Sequence, residues 1–318
     1  MREGGGIRMP KKKRKVSTAH AFSRSFKNDW QLWVLLLPAI AFFIVFSYLP
    51  FYGIQIAFKD YKPVLGILGS SWVGFKNFID FFHSYYFSRL LTNTFLLNFF
   101  GLLWGFPLPI ILALLVNQLA GRFKKFTQTV IYTPHFISTV VIAGMLYLFL
   151  SPTSGMINNL ITALGGKPIN FMIQASWFRT LFISTDVWQH AGWNTILYIA
   201  ALTAIDPGLY EAATMDGATK WQKIIRIDIP HLMPIAVLVL ILNSGNLLVS
   251  NTDKAFLLQT SGNLQTSDII GIYVYKFGLG KAQFSYTTAI GLFTNVINFA
   301  MVMLVNRVSK WFGGGGLF

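Results

Sequence analysis

The chain contains no cysteine in its 318 residues. That excludes a disulfide framework and a thiolate metal site, and it leaves the redox compartment unmarked. Acidic residues are scarce as well, 11 against 26 Lys and Arg, and they are too scattered to supply catalytic carboxylate pairs. The histidines, at positions 20, 83, 135, 190 and 231, show no metal-ligand spacing. Lys167 and Lys281 each follow a glycine, but neither is followed by Ser or Thr in a phosphate-binding G-x-x-x-x-G-K-[ST] frame. H-E-x-x-H and G-x-S-x-G are also missing. Nothing in the chain therefore supports catalysis, a metal or a cofactor of its own.

Charge of either sign is sparse, 12% of residues against 54% hydrophobic, where soluble domains carry about 25% charged residues. Six stretches hold no Asp, Glu, Lys or Arg: Leu32–Phe58, Leu90–Gly121, Phe126–Gly166, Val187–Ile205, Ile229–Thr252 and Ala282–Asn306. A membrane-spanning helix needs roughly 17–25 mostly apolar residues, and each stretch supplies one. The third is cut near residue 151 by Pro152 and the loop-like "SPTSG". The expected spans lie near 32–56, 90–117, 129–150, 181–204, 231–250 and 284–306. A soluble protein would need six helices apolar on every side and almost no polar surface. The fold class expected is thus an all-α polytopic membrane protein.

The formal charge of +15 and the run "PKKKRKV" at 10–16 resemble nucleic-acid and nuclear-import signals. Their position favours a different reading. Lys and Arg are nearly twice as numerous on the odd-numbered segments between spans as on the even-numbered ones, the N-terminal tail supplying the excess. The richer side is cytoplasmic by the positive-inside rule, which puts both termini in the cytoplasm. The basic tail reads as an anchor against anionic lipid, with an import tag or an expression remnant as alternatives, and no nucleic-acid partner is expected. About 30 polar and basic residues precede the first span and no small-residue cleavage site follows it, so no cleavable signal peptide is expected. Residues 1–29 form this tail, 30–312 the membrane domain, and 313–318, with "GGGG", a flexible end.

In the second span Pro107 and Pro109 predict a bend, since proline removes a backbone donor. It suits either a moving, pore-lining helix or a purely structural kink. The passage between spans four and five, "DPGLYEAATMDGATKWQKIIRIDIPHLMP" at 206–234, is the polar exception in an apolar chain. Asp206 before Pro207 is an N-cap acceptor followed by proline at the first helical position. The predicted helix runs from about Pro207 to Trp221, followed by a second short helix over Lys220–Asp228. Ala213 and Gly217, one turn apart, would make a strip poor in side chains. Glycine costs roughly 1 kcal/mol within a helix, so its presence there suggests close approach by another surface, with Glu211 at the edge for a basic partner. Joined to two spans, such a helix is a lever.

The spacing Glu211-Ala212-Ala213, Gly217, Ile227, Ile229, Pro230 resembles the EAA---G---------I-LP motif of binding-protein-dependent ABC importer permeases, with Ile229 in place of the usual Leu. The stretches "YTPHFISTVVIAG" (132–144), "WQHAGWNTILYIAAL" (188–202) and "YTTAIGLFTNVIN" (286–298) are similar to the carbohydrate-uptake branch, closest to the group serving complex oligosaccharides such as rhamnogalacturonan-type pectin fragments. The resemblance covers about residues 30–312. It implies six transmembrane helices with a cytoplasmic coupling helix between spans four and five, in a bacterial plasma membrane. It further implies a second homologous permease, two cytoplasmic ATPase subunits that hold the ATP and Mg, and an extracellular solute-binding protein. Glu211, Ala212, Ala213, Asp216, Gly217 and Ala218 would then dock the ATPase. Candidates for sugar contact are Trp193, Asn194, Tyr198, Asn243, Asn246 and Asn295, although polar side chains inside a membrane also tie helices together. The rival readings are a polytopic membrane enzyme and a channel not coupled to an ATPase.

Overall fold

The structure, a computed structural model, describes residues 30–311; the basic tail with "PKKKRKV" and the "GGGG" end lie outside the described residues. The chain divides into two units, Met1–Gln55 and Ile56–Phe318. The described part of the first is a single apolar rod. Helix α1 (Trp30–Phe43) passes into a π-helical turn at Ile44–Tyr48 and then into 3-10 winding from Leu49. No residue of α1 is buried, and Leu32, Leu35, Leu37, Phe42 and Phe43 are exposed. A helix apolar all round needs lipid or another protein around it.

The second unit is almost wholly helical. Its one ladder among the described residues is an antiparallel pair, Lys59–Asp60 with Ser71–Trp72. Helices α2 (Phe87–Gly105) and α3 (Pro107–Asn117) run on as one 31-residue element because Phe106 between them keeps helical torsions. The two prolines are thus accommodated without a sharp break. Next come α4 (Gly121–Tyr132), α5 (Thr139–Phe149) and the central α6 (Ala175–Thr203). After α7 (Pro207–Met215) the chain forms α8 (Ile229–Ser244), α9 (Thr252–Leu258) and α10 (Phe284–Trp311). Among all the described residues, Trp30–Phe58 included, four helical stretches are long and apolar enough to cross a membrane unaided, and the number rises to six if each of two bent pairs is counted as one span.

One of those pairs corrects the expected third span. A continuous helix over 129–150 is not what forms. A 3-10 turn at Thr133–Phe136, holding Pro134, ends α4; Ile137 and Ser138 are extended, and α5 leaves at 93°. Ser138 restarts the helix, its Oγ accepting from the Val141 amide at 3.3 Å. The carbonyl of Ile137, freed by the break, accepts from Gln189 Nε2 at 2.8 Å. Unpaired backbone is costly in an apolar interior, and here a side chain of α6 supplies the partner.

Three apolar clusters hold the unit together. One gathers Leu97, Phe178, Phe182, Leu258 and Ile272. A second gathers Ala113, Tyr198, Leu202, Leu232 and Ala236, and the third Phe81, Leu90, Tyr273 and Ile290. Buried amides fasten the loops between them. Asn158 Nδ2 donates to the carbonyls of Leu150, Ser151 and Ile169, and Asn263 Nδ2 to those of Met172 and Leu258.

Candidate functional site

Two polar places stand out. The first is a cavity between α2, α6 and the end of α8, about 190 Å³ in volume, continuous in lining with a second of about 460 Å³. Asn194 and Asn243 line both; Asn246 lines the first, Trp193 and Tyr198 the second. Five of the six residues expected to touch sugar are therefore brought together. Asn295 is not. It lies on the exposed side of α10, while Asn298, one turn on, is buried and accepts from the Leu248 amide at 3.0 Å. Within a uniformly apolar helix, composition alone does not show which face turns inward.

The walls combine aromatic faces with amide and hydroxyl groups. The Trp193 indole stacks on the His135 ring, centroids 4.3 Å apart and planes within 8°. Tyr198 is buried, and its hydroxyl has no protein partner. Residues that sequence reasoning passed over also line the first cavity: Asn98, Asp186, His190 and Asn251. Asn98 acts as a tie, donating to Leu247 O at 3.0 Å and to Ser250 Oγ at 2.8 Å. Asp186 meets Lys254, 68 residues further along, at 3.3 Å, a separation at which no short motif could have paired them. Asp268 is bound to Arg89 at 2.8 Å.

The second place is the polar passage after α6. Asp206 caps α7, its Oδ1 accepting from the Gly208 amide at 2.9 Å, and α7 leaves α6 at 69°. The helix stops at Met215 rather than reaching Trp221. Gly217 has φ +73°, the Gly217 amide bonds to Thr214 O and the Ala218 amide to Ala213 O. This is a Schellman termination, in which a left-handed residue closes the last carbonyls. The glycine is explained by backbone conformation, since a Cβ there would meet nothing within 4 Å. The strip of small residues inferred from an unbroken helix is corrected accordingly. Replacing Gly217 by Ala should cost about 1 kcal/mol, because left-handed torsions disfavour a Cβ, whereas Asn should be nearly neutral; thermal unfolding of the two variants in detergent measures the difference.

Thr219 then starts the next helix with a reciprocal capping box to Gln222. Instead of a separate short helix over Lys220–Asp228, one element of 25 residues runs from Lys220 to Ser244, with a π turn at Ile224–Asp228. Glu211, Ala212, Asp216 and Gly217 are exposed, and Ala213 and Ala218 half-buried. Asp216, Gly217, Gln222, Lys223 and Arg226 rim a concavity of about 280 Å³. Between α7 and the Lys220–Ser244 element, Tyr210 Oη donates to Oδ1 of the fully buried Asp228 at 2.5 Å. Burial, then the Asp228 carboxylate, push the Tyr210 phenol well above its usual range.

Comparison with known proteins fits this geometry. Residues 105–313 match the family of binding-protein-dependent transport system inner membrane components. The chain is 45% identical, over 90% of both lengths, to the polygalacturonan/rhamnogalacturonan transport system permease protein YteP of Bacillus subtilis (strain 168). It is 40% identical to Protein LplB of the same organism, over 92% of this chain and 93% of that one. Among solved structures it resembles a chain of a bacterial ABC transporter involved in the import of the acidic polysaccharide alginate. That match has a TM-score of 0.83 and 38% identity, covering 91% of this chain and 98% of the other. A second structure of the alginate transporter, in complex with an alginate pentasaccharide-bound periplasmic protein, matches with a TM-score of 0.84.

Proposed function

Since this chain belongs to the family of binding-protein-dependent transport system inner membrane components, and is an ABC importer permease for oligosaccharides, we propose that its cargo is a pectin-derived oligosaccharide of the polygalacturonan or rhamnogalacturonan type. The observation that carries the cargo is the 45% identity, across nine-tenths of both chains, to a permease for those glycans. The cavity supports it with asparagine amides at Asn194, Asn243 and Asn246 and an aromatic surface at Trp193. Amides exchange hydrogen bonds with hydroxyls and an indole face covers a sugar ring.

The chain is a transport component, and hydrolysis of ATP belongs to partner subunits. It works with an extracellular solute-binding protein, a second homologous permease and two cytoplasmic ATPases that hold the nucleotide and Mg. In this reading six spans cross a bacterial plasma membrane with both termini in the cytoplasm, and the Pro207–Met215 helix sits on that side. Its exposed Glu211, Ala212 and Asp216 face an ATPase groove. Closure of the ATPases pushes on α7, and α6 and α8, joined to it, carry the movement to the cavity.

Ala212→Trp tests the docking. The residue is exposed, so the permease should fold while the ATPase no longer co-purifies and sugar uptake falls by at least about tenfold, as loss of about 1.4 kcal/mol or more of interface energy requires. Retention of both would refute the docking. For the cargo, ATP hydrolysis by the assembled transporter should rise with binding protein carrying galacturonan or rhamnogalacturonan fragments. Stimulation only by unrelated sugars would refute it.

A further inference from the structure

Lys254 is the anomaly of the cavity region. It lies on α9 with its side chain 1% exposed, its Nζ 3.3 Å from Asp186 Oδ1 and 5.0 Å from the centroid of the Phe182 ring. Burying a lysine is expensive unless a carboxylate answers it, and even a paired ion rarely stabilises more than an apolar substitute would. The pair therefore calls for a reason other than stability. Its position supplies one. Asp186 faces the cavity and is the acid in its lining, among asparagine amides and His190. Lys254 stands behind Asp186 and is not part of the lining. Around the carboxylate, His190 Nδ1 is 3.7 Å from the same Oδ1 and donates to the Asp186 carbonyl at 3.0 Å. The His135 ring lies 5.6 Å beyond His190.

We propose that Lys254 is a specificity-determining residue: it cancels the Asp186 charge from behind, so that the cavity keeps a carboxylate acceptor for sugar hydroxyls and yet admits cargo that itself carries carboxylates. This rests on the oligosaccharide-permease reading above. A lone carboxylate in the wall would repel each uronate that passed, and in a site of low effective dielectric that repulsion acts over several ångströms. With the lysine behind it, the acid presents a dipole rather than a net charge. Lys254 is a positioning and charge-setting residue and touches no sugar.

The test uses the assembled transporter in proteoliposomes with its binding protein. Uptake of a galacturonate oligosaccharide is compared with uptake of its carboxyl-reduced, neutral counterpart. Lys254→Met should lower the acidic-to-neutral ratio by about tenfold, the scale of one uncompensated charge at this range. Asp186→Asn, which leaves the lysine unanswered, should raise the ratio. The double variant should return it near the wild-type value. Movement in opposite directions cannot come from general damage, and if Lys254→Met does not assemble, the gain expected of Asp186→Asn decides alone. Equal losses for both cargoes in both single variants, or no gain for Asp186→Asn, overturn the proposal while leaving the permease reading intact. Wild-type transporter that takes up neither sugar would instead overturn the reading on which it rests.

Discussion

Gly192→Ala is expected to prevent the permease from accumulating as a folded protein. Gly192 lies in α6 where α4 crosses it, and a Cβ built there would sit 1.7 Å from the Ile131 carbonyl oxygen and 2.5 Å from its carbon. These are backbone atoms, so no rotamer change relieves the contact and the two helices must separate. Overpacking of this kind sits at or beyond the upper end of the usual penalty, about 3 kcal/mol. The damage also spreads. The break at Ile137 depends on Gln189, one turn before Gly192, for its hydrogen bond, and the Trp193–His135 stack spans the same crossing. Gly144 in α5 is the control, since a Cβ there meets nothing within 4 Å; alanine should be neutral or slightly stabilising, as helix propensity favours it by about 1 kcal/mol. Expression level and thermal unfolding in detergent compare the two. Equal behaviour of the variants would show that the α4–α6 crossing is not as close as described.

Under the proposed docking of α7 on an ATPase, Tyr210→Phe should uncouple transport from ATP hydrolysis. Asp228 is fully buried with one carboxylate oxygen bonded to Tyr210 and the other without a protein partner. Removing the phenol leaves a buried charge unanswered, at a cost of about 3 kcal/mol. The bond joins α7 to the start of the Lys220–Ser244 helix across the Schellman turn. In the lever reading it keeps the two moving together. The expected result is transport reduced at least about tenfold, in line with the lost bond energy, while the ATPases still bind and hydrolyse ATP. Tyr210→Phe with Asp228→Leu should recover stability, because an apolar pair replaces the buried charge, without recovering coupling. Additive losses in that double-mutant cycle would sink the argument. The direction of the Tyr210 shift fixes the pH behaviour too. A phenol raised in the folded state contributes stability that is fully present below its unfolded value of about 10 and is lost only as pH climbs through the higher folded value. The latch is therefore intact throughout the neutral range.

Much of this architecture was legible in the sequence because lipid imposes a simple rule. Long uncharged runs became helices, and Asp206-Pro207 opened α7 as the capping chemistry requires. The break at Ile137 was hidden because its residues are as apolar as those of a span; only the run from Pro134 to Ser138 hints at it. Gly217 falls past the end of α7 and not within a longer helix; a sequence does not reveal whether a glycine serves close packing or a left-handed turn. Asn194 and Tyr198 share a side because they stand one turn apart on α6, and Asn243 and Asn246 meet them from the end of α8 and the turn after it. Asn295 misses by the phase that separates it from Asn298. The Asp186–Lys254 pair was out of reach altogether, as it forms only when α9 folds back against α6.

The π turn at Ile224–Asp228 has a consequence for movement. A π turn carries one surplus residue relative to α winding, and one residue of an α-helix corresponds to about 100° about the axis. The Lys220–Ser244 helix thus holds a stored increment of rotation immediately before Pro230. Were that turn drawn out into regular winding, the far end, with Asn243 at the cavity, would screw round by the same angle while Lys220 stayed where it was.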